Sequence, residues 1–404
     1  MENNTGESKG NIYPIIFVPG ILGSTIEDRY QVNHQDVYWR ALSFIKRFDY
    51  DAILLDDAGE FDKELDRLIF ADKVLSVAYG EIVDELRAAL RLDDPTGAPP
   101  KRIGNYTPGK KYVKAYVFPY DWRYPVSRNA EELADFVKLI IRKSAAHTDY
   151  MSQGFEVDKV NLVCHSMGGC VARHYINALE GKCRVNKLVM LASPLAGAPQ
   201  AIKQLVAGEK NFFGVPSPIK SRKASRSFPG VYDLLPNDGF FSLPESAHRW
   251  SMPSLEKNGE PLNVFDIDNW QKSVKKKIKE KHLINSGEFL RGAKPFSEDF
   301  RDRVLMLYGT GEDTLVQVAA KDGEDGLEFD FNATGSETTK GDGTVPAEST
   351  YTPGIHRVKI TKDKARSGLL DINIAQLGGF HGGFCTFDNV IQFVISFLRD
   401  KPTK

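Results

Sequence analysis

Apolar positions in this chain fall into short unbroken runs separated by amphipathic stretches. Residues 13–20, YPIIFVPG, form an apolar run closed by Pro-Gly, which predicts a buried strand. In residues 81–91, Ile82, Val83, Leu86, Ala89 and Leu90 recur at helical spacing. Residues 114–122, KAYVFPYDW, read as a strand. Residues 129–143 read as an amphipathic helix, with Asn129 as its N-cap and Glu132 three residues on. KVNLVCH then predicts a strand and MGGCVARHYINALEG the helix that follows it. Further strands are expected at residues 185–193, 303–309 and 356–360, and a last helix at 386–400.

Apolar strands alternating with helices predict an α/β fold with a mostly parallel central sheet covered by helices on both faces. Two stretches break the rhythm. Residues 25–80 are polar with aromatic islands, and residues 198–302 carry several prolines and mixed helical signals. Both follow strand ends on the side where open α/β sheets bind ligands. They are expected to be a lid-type insertion and a cap insertion on one catalytic domain spanning 12–404, with residues 1–11 a flexible N-terminus. Length alone would suggest two or three domains for 404 residues, but α/β cores with insertions run long.

Composition narrows the function classes. Apolar residues make up 41% of the chain, enough for a large core. With 53 basic and 54 acidic residues the net charge is −1, which gives no electrostatic case for nucleic acid. The basic run SVKKKIKEKH reads as a solvated helix face. The four cysteines, Cys164, Cys170, Cys183 and Cys385, lack zinc-ligand spacing, and no metal or cofactor is expected. The first residues, MENNTGESKGN, have no apolar signal core, and no run approaches a membrane span. A cytoplasmic protein with reduced thiols is the resulting expectation.

The chemistry is concentrated around NLVCHSMGG. A strand running into Ser166 and straight on into a helix is the context of a nucleophile elbow in the α/β-hydrolase fold. Its neighbours must be small; Gly168 and Gly169 meet this, while Cys164 stands where glycine is usual. A serine hydroxyl needs a base in hydrogen-bond reach and an acid to orient that base. The fold places them in the order Ser, Asp or Glu, His. Asp342 in TTKGDGTVP and His381 in LGGFHGGFC satisfy that order. His165 adjoins the serine and should point elsewhere, His174 lies two turns into the helix, and His356 leads a strand. The oxyanion donors are expected to be the backbone N–H groups of Met167, at the helix N-terminus, and Ile21, after Gly20.

With these motifs in place, the sequence resembles the lecithin:cholesterol acyltransferase family. The resemblance rests on PIIFVPGILGS, FPYDWR, NLVCHSMGG, SPLAGAP, SFPGVYDLLP, YGTGEDT, GDGTVP and FHGGF, in family order. It implies serine-dependent cleavage of a carboxylic ester, usually in a lipid, with the acyl group passing to water or an alcohol. It makes Ser166 the nucleophile, Asp342 the orienting acid and His381 the base. YDWR looks like a supporting loop in which Asp121 and Arg123 pair beside Trp122. The chain lacks the lid cysteines of the secreted animal members, and Cys164 stands where Ala or Gly is commoner.

Within residues 36–48, Trp39, Leu42 and Ile45 share one helical face, and Val37, Ala41, Phe44 and Phe48 a neighbouring stripe. That face is open to two readings, core packing or a lipid-entry surface with peripheral membrane contact. GTGEDT lacks the third glycine and the βαβ unit of a dinucleotide loop. The partner expected is a lipid or other acyl ester. A small-molecule carboxylesterase, thioesterase or amidase uses the same triad, and a non-catalytic binding protein on a hydrolase fold is a third reading. Oligomeric state is not legible.

Overall fold

In a computed structural model of the chain, six parallel strands form the central sheet. The structure describes residues 10–28, 36–39, 53–56, 59, 69–92, 111–179, 181–209, 217–237, 254–324, 326–331, 341–365 and 379–399. The strands are β1 (Ile15–Val18), β2 (Ala115–Val117), β3 (Val160–His165), β4 (Val185–Leu191), β5 (Val304–Thr310) and β6 (His356–Thr361). Their order across the sheet is β6-β5-β4-β3-β1-β2.

The side-chain period of two assigns each strand residue to a layer. Ile16 and Val18 of β1, Leu162 and Cys164 of β3, and Leu188 and Met190 of β4 pack into one core. That core includes α2 (Val126–Ala145) and α3 (Met167–Ala178). Ile15 and Phe17, Val163, and Val189 and Leu191 face the opposite core, with α1 (Ser76–Ala89) and α4 (Asp388–Leu398). Both faces are therefore dry, which explains why these strands read as continuous apolar runs.

Two local expectations are corrected. Asn129 is not an N-cap: α2 begins at Val126 after Pro125. The first N–H of the helix is satisfied from a distance, because Val126 N–H donates to Asp233 Oδ2 at 2.7 Å. Asn129 instead donates from Nδ2 to the carbonyls of Asp121 and Tyr124, at 3.1 and 3.2 Å. The expected helical face at residues 36–48 is also revised where it is described. Asp36–Trp39 is a strand, paired antiparallel with Ser24–Asp28, which in turn pairs with Ile69–Val74. Non-local pairing, with Trp39 opposite Ile26, overrides the local helical spacing. Ala41, Leu42, Phe44, Ile45 and Phe48 lie outside the described residues.

The segment 198–302 is tied back into the body of the protein. Its strand Leu255–Lys257 pairs parallel with Val318–Gly323, which follows β5, within a second sheet of four strands. Its short helix Pro229–Tyr232 packs against Trp122 and Met167, as detailed below. Among the described residues no helix is long and apolar enough to cross a membrane.

Candidate active site

The serine sits at the carboxyl end of β3, where the chain leaves the sheet for α3. Ser166 has φ 51° and ψ −126°, in the sparsely populated region that a strand-to-helix elbow demands. The conformation is over-determined. Ser166 N–H donates to Leu191 O of β4 at 2.8 Å, and Gly169 N–H to Ser166 O at 3.0 Å. Gly168 and Gly169 make the turn sterically feasible. A Cβ on Gly168 would meet the carbonyl oxygens of Pro19 and Val18 at 2.4 and 2.6 Å, and one on Gly169 would meet Ser193 Oγ at 2.0 Å.

The structure brings the three sequence-predicted side chains together across 215 residues of chain. His381 Nε2 lies 3.0 Å from Ser166 Oγ, and His381 Nδ1 lies 2.7 Å from Asp342 Oδ2. All three are buried. Asp342 is held by its own loop: Oδ1 accepts from Thr344 N–H at 3.1 Å and Val345 N–H at 2.7 Å. Its backbone carbonyl accepts from His381 N–H at 3.1 Å. An ionised carboxylate only accepts, so its bond to Nδ1 assigns the imidazole proton there. Nε2 is then left without a proton, facing Ser166 Oγ. Gly309, at the end of β5, was not singled out from sequence. A Cβ there would meet Asp342 Cβ at 2.6 Å, so glycine opens room for the acid.

Ile21 stands in the turn that follows β1. Gly23 N–H donates to Gly20 O at 3.0 Å, with Leu22 at φ 63° between them. Gly20 approaches so closely that a Cβ would lie 2.8 Å from Ser166 Cβ. Neither Ile21 N–H nor Met167 N–H has an acceptor among the described residues.

YDWR is a buttress for that turn and not a lining of the serine. Tyr120 Oη donates to Pro19 O at 3.0 Å, and Trp122 Nε1 to Ser24 O at 3.1 Å. Arg123 is fully buried and forks onto Asp121: Nε to Oδ1 at 2.9 Å and Nη2 to Oδ2 at 2.6 Å. Its Nη1 donates to Ile53 O at 2.9 Å. Arg123 O accepts from Gly230 N–H at 3.0 Å, and a Cβ on Gly230 would meet Trp122 O at 2.4 Å and Met167 Cε at 3.0 Å. This is how SFPGVYDLLP, YDWR and the elbow come to share one contact.

The other histidines weighed from the sequence separate cleanly. His356 is exposed at the first position of β6, and His174 packs against Phe289 with ring centroids 5.0 Å apart. His165 points away from the serine, into the layer with α1, as expected from strand alternation. Among the described residues no three His, Cys, Asp or Glu side chains are grouped to hold a metal ion.

The family model described as lecithin:cholesterol acyltransferase matches residues 106–292. Lecithin-cholesterol acyltransferase-like 1 of Arabidopsis thaliana is 25% identical over 271 residues, 57% of this chain and 60% of that protein. The match thus spans about three fifths of that relative's length. A chain in the crystal structure of the Tle4–Tli4 complex superposes with a TM-score of 0.60 at 15% identity, covering 98% of this chain and all of that one. The mature form of Bacillus licheniformis lipase BlEst2 gives a TM-score of 0.41 at 12% identity, over 97% and 94% of the two chains. The fold is that of the α/β-hydrolases, with the six-stranded parallel sheet at its centre.

Proposed function

We propose that this chain, a member of the lecithin:cholesterol acyltransferase family, is a serine acyl-hydrolase or O-acyltransferase that cleaves carboxylic esters of lipids. The observation that carries the reading is the relay Ser166–His381–Asp342, at 3.0 and 2.7 Å. His381 Nε2 takes the Ser166 proton as Oγ attacks the ester carbonyl. The developing oxyanion is stabilised by the N–H groups of Met167 and Ile21. His381 then protonates the leaving alcohol, and Ser166 holds the acyl group as an ester. Water or a second alcohol, deprotonated by the same imidazole, releases it. Asp342 keeps the imidazole in the required tautomer and stabilises its charged form. No step calls for a cofactor.

The lipid part of the reading draws on the family and on the two insertions expected to wall the catalytic edge. Each CH₂ of an acyl chain moved from water into an apolar wall favours binding by about 0.8 kcal/mol. The test is kcat/KM for a series of p-nitrophenyl esters from acetate upward, then mixed phospholipid vesicles with and without an added alcohol. Rising kcat/KM with acyl length is expected, with new esters of the alcohol marking transfer. Acetate and butyrate as the best substrates would replace the lipid reading with the small-ester one.

A further inference from the structure

Three segments meet at the serine: the turn after β1, the elbow, and the loop of His381. A buried polar chain runs between them on the α1 side of the sheet. Gly20 N–H donates to Tyr79 Oη at 3.1 Å. Tyr79 Oη lies 3.0 Å from His165 Nδ1. His165 Nε2 lies 3.2 Å from the backbone oxygen of His381. Tyr79 comes from α1, and His165 is the last residue of β3. Tyr79 and His165 are 4% and 3% exposed, so water does not compete for these bonds.

The direction of every proton in the chain follows from chemistry. A carbonyl oxygen only accepts, so His165 Nε2 carries the hydrogen. Burial, reinforced by His381 nearby, holds the His165 pKa well below the usual histidine range, so the ring is neutral and Nδ1 is bare. Nδ1 must accept, and Tyr79 Oη–H donates to it. The Tyr79 oxygen then has its lone pairs free for Gly20 N–H. The run of tilted and edge-on ring contacts Phe17–Tyr79–His165–His381, with centroids 5.1, 5.6 and 5.0 Å apart, fixes the rings that carry these bonds.

We infer that Tyr79 and His165 are positioning residues that lock the oxyanion turn and the loop of the catalytic histidine to one another through the sheet edge. The first bond fixes the Pro19–Gly20 peptide, and Gly23 N–H holds the oxygen of the next one, Gly20 O, whose peptide carries the Ile21 N–H. The last bond fixes the carbonyl of His381, whose own N–H is already held by Asp342 O. With both ends of its backbone held, His381 keeps Nε2 on the serine while the donors keep their distance from the carbonyl under attack. Neither residue touches substrate; each acts through the groups it holds.

The inference rests on the reading of Ser166 and His381 as the reaction centre. The test compares Tyr79→Phe, His165→Gln, His165→Leu and the double variant Tyr79→Phe/His165→Leu, on protein shown to be folded by near-ultraviolet circular dichroism. Rates with a p-nitrophenyl ester are normalised to sites titrated with a fluorophosphonate, so unfolded molecules do not count. Tyr79→Phe is expected to lower kcat by about 10- to 100-fold with KM changed by less than about threefold. His165→Gln, which retains a donor and an acceptor, should keep several times the kcat of His165→Leu. The double variant should be no slower than the slower single, because the two residues form one chain. A Tyr79→Phe enzyme with parental kcat, or equal rates for the Gln and Leu variants, overturns the inference. Should Tyr79→Phe not fold, the Gln and Leu comparison decides. An unchanged rate in Ser166→Ala would instead overturn the catalytic reading itself.

Discussion

Gly20→Ala is a one-atom-group perturbation whose effect follows from distances. The new Cβ would stand 2.8 Å from Ser166 Cβ and 3.1 Å from His165 Nδ1. Ordinary contact begins at 3.4 Å, so the turn must retreat from the serine by about 0.6 Å. The serine cannot yield, because its backbone is pinned to Leu191 O in a strained elbow. Ile21 N–H moves with the turn, and a donor at about 2.9 Å from the oxyanion retreats to about 3.5 Å, beyond a useful hydrogen bond. Loss of one oxyanion donor costs about 10²- to 10³-fold in kcat. The ground-state ester makes little use of that donor, so KM should barely change. Steady-state kinetics with p-nitrophenyl butyrate, on protein whose thermal unfolding is recorded in parallel, makes the comparison. A kcat within about threefold of the parent in folded Gly20→Ala refutes the placement of the oxyanion turn.

Three further expectations test other parts of the structure. His381→Ala should damage kcat about as much as loss of the serine, roughly 10⁶-fold, and Asp342→Asn about 10⁴-fold, with sub-multiplicative losses in the double variant measured by single-turnover kinetics. Asp121→Ala leaves the buried Arg123 guanidinium without its carboxylate and should cost about 3–5 kcal/mol. For a 404-residue chain that is a Tm fall of about 4–6 °C by differential scanning fluorimetry, and no fall would mean that the pair is not closed in solution. Burial pushes Asp233 up to about 6, against hydrogen bonds from Ser286 and Val126 that favour its ionised form. Its folded pKa lies above the unfolded value, so its stabilisation is full below about pH 4 and is lost as pH rises through about 6, by on the order of 3 kcal/mol. Asp233→Asn should flatten that window in urea titrations from pH 4 to 7, and an unchanged slope would contradict the assignment.

What could be read from sequence was what is local. The serine, the acid and the base each sit in a short turn whose glycines are adjacent in the chain, so the motif and the order of the three were visible. The sheet was visible too, because strands dry on both faces are unbroken apolar runs. Contacts that join distant residues left no such mark. Tyr79 meets His165 across 86 positions, and nothing near Tyr79 distinguishes its hydroxyl from that of any amphipathic helix. Asn129 carries a capping signature, yet the cap of α2 is supplied by Asp233, 107 residues away, which frees Asn129 to hold the YDWR turn. Trp39 has helical spacing to Leu42 and sits in a strand because Ile26 lies opposite. Gly309 is silent in sequence because its role is to leave space for a residue 33 positions on.

Covalent labelling with a fluorophosphonate tests the central claim most directly, since the reagent reacts fastest with a serine whose proton is being removed. Labelled protein is digested and the modified peptide located by mass spectrometry. One label per chain is expected, on the peptide holding Ser166, with none in Ser166→Ala and labelling slowed by at least about 10³-fold in His381→Ala. Full labelling of folded Ser166→Ala, or an unreactive parent protein, would contradict a nucleophile at the end of β3 activated by His381.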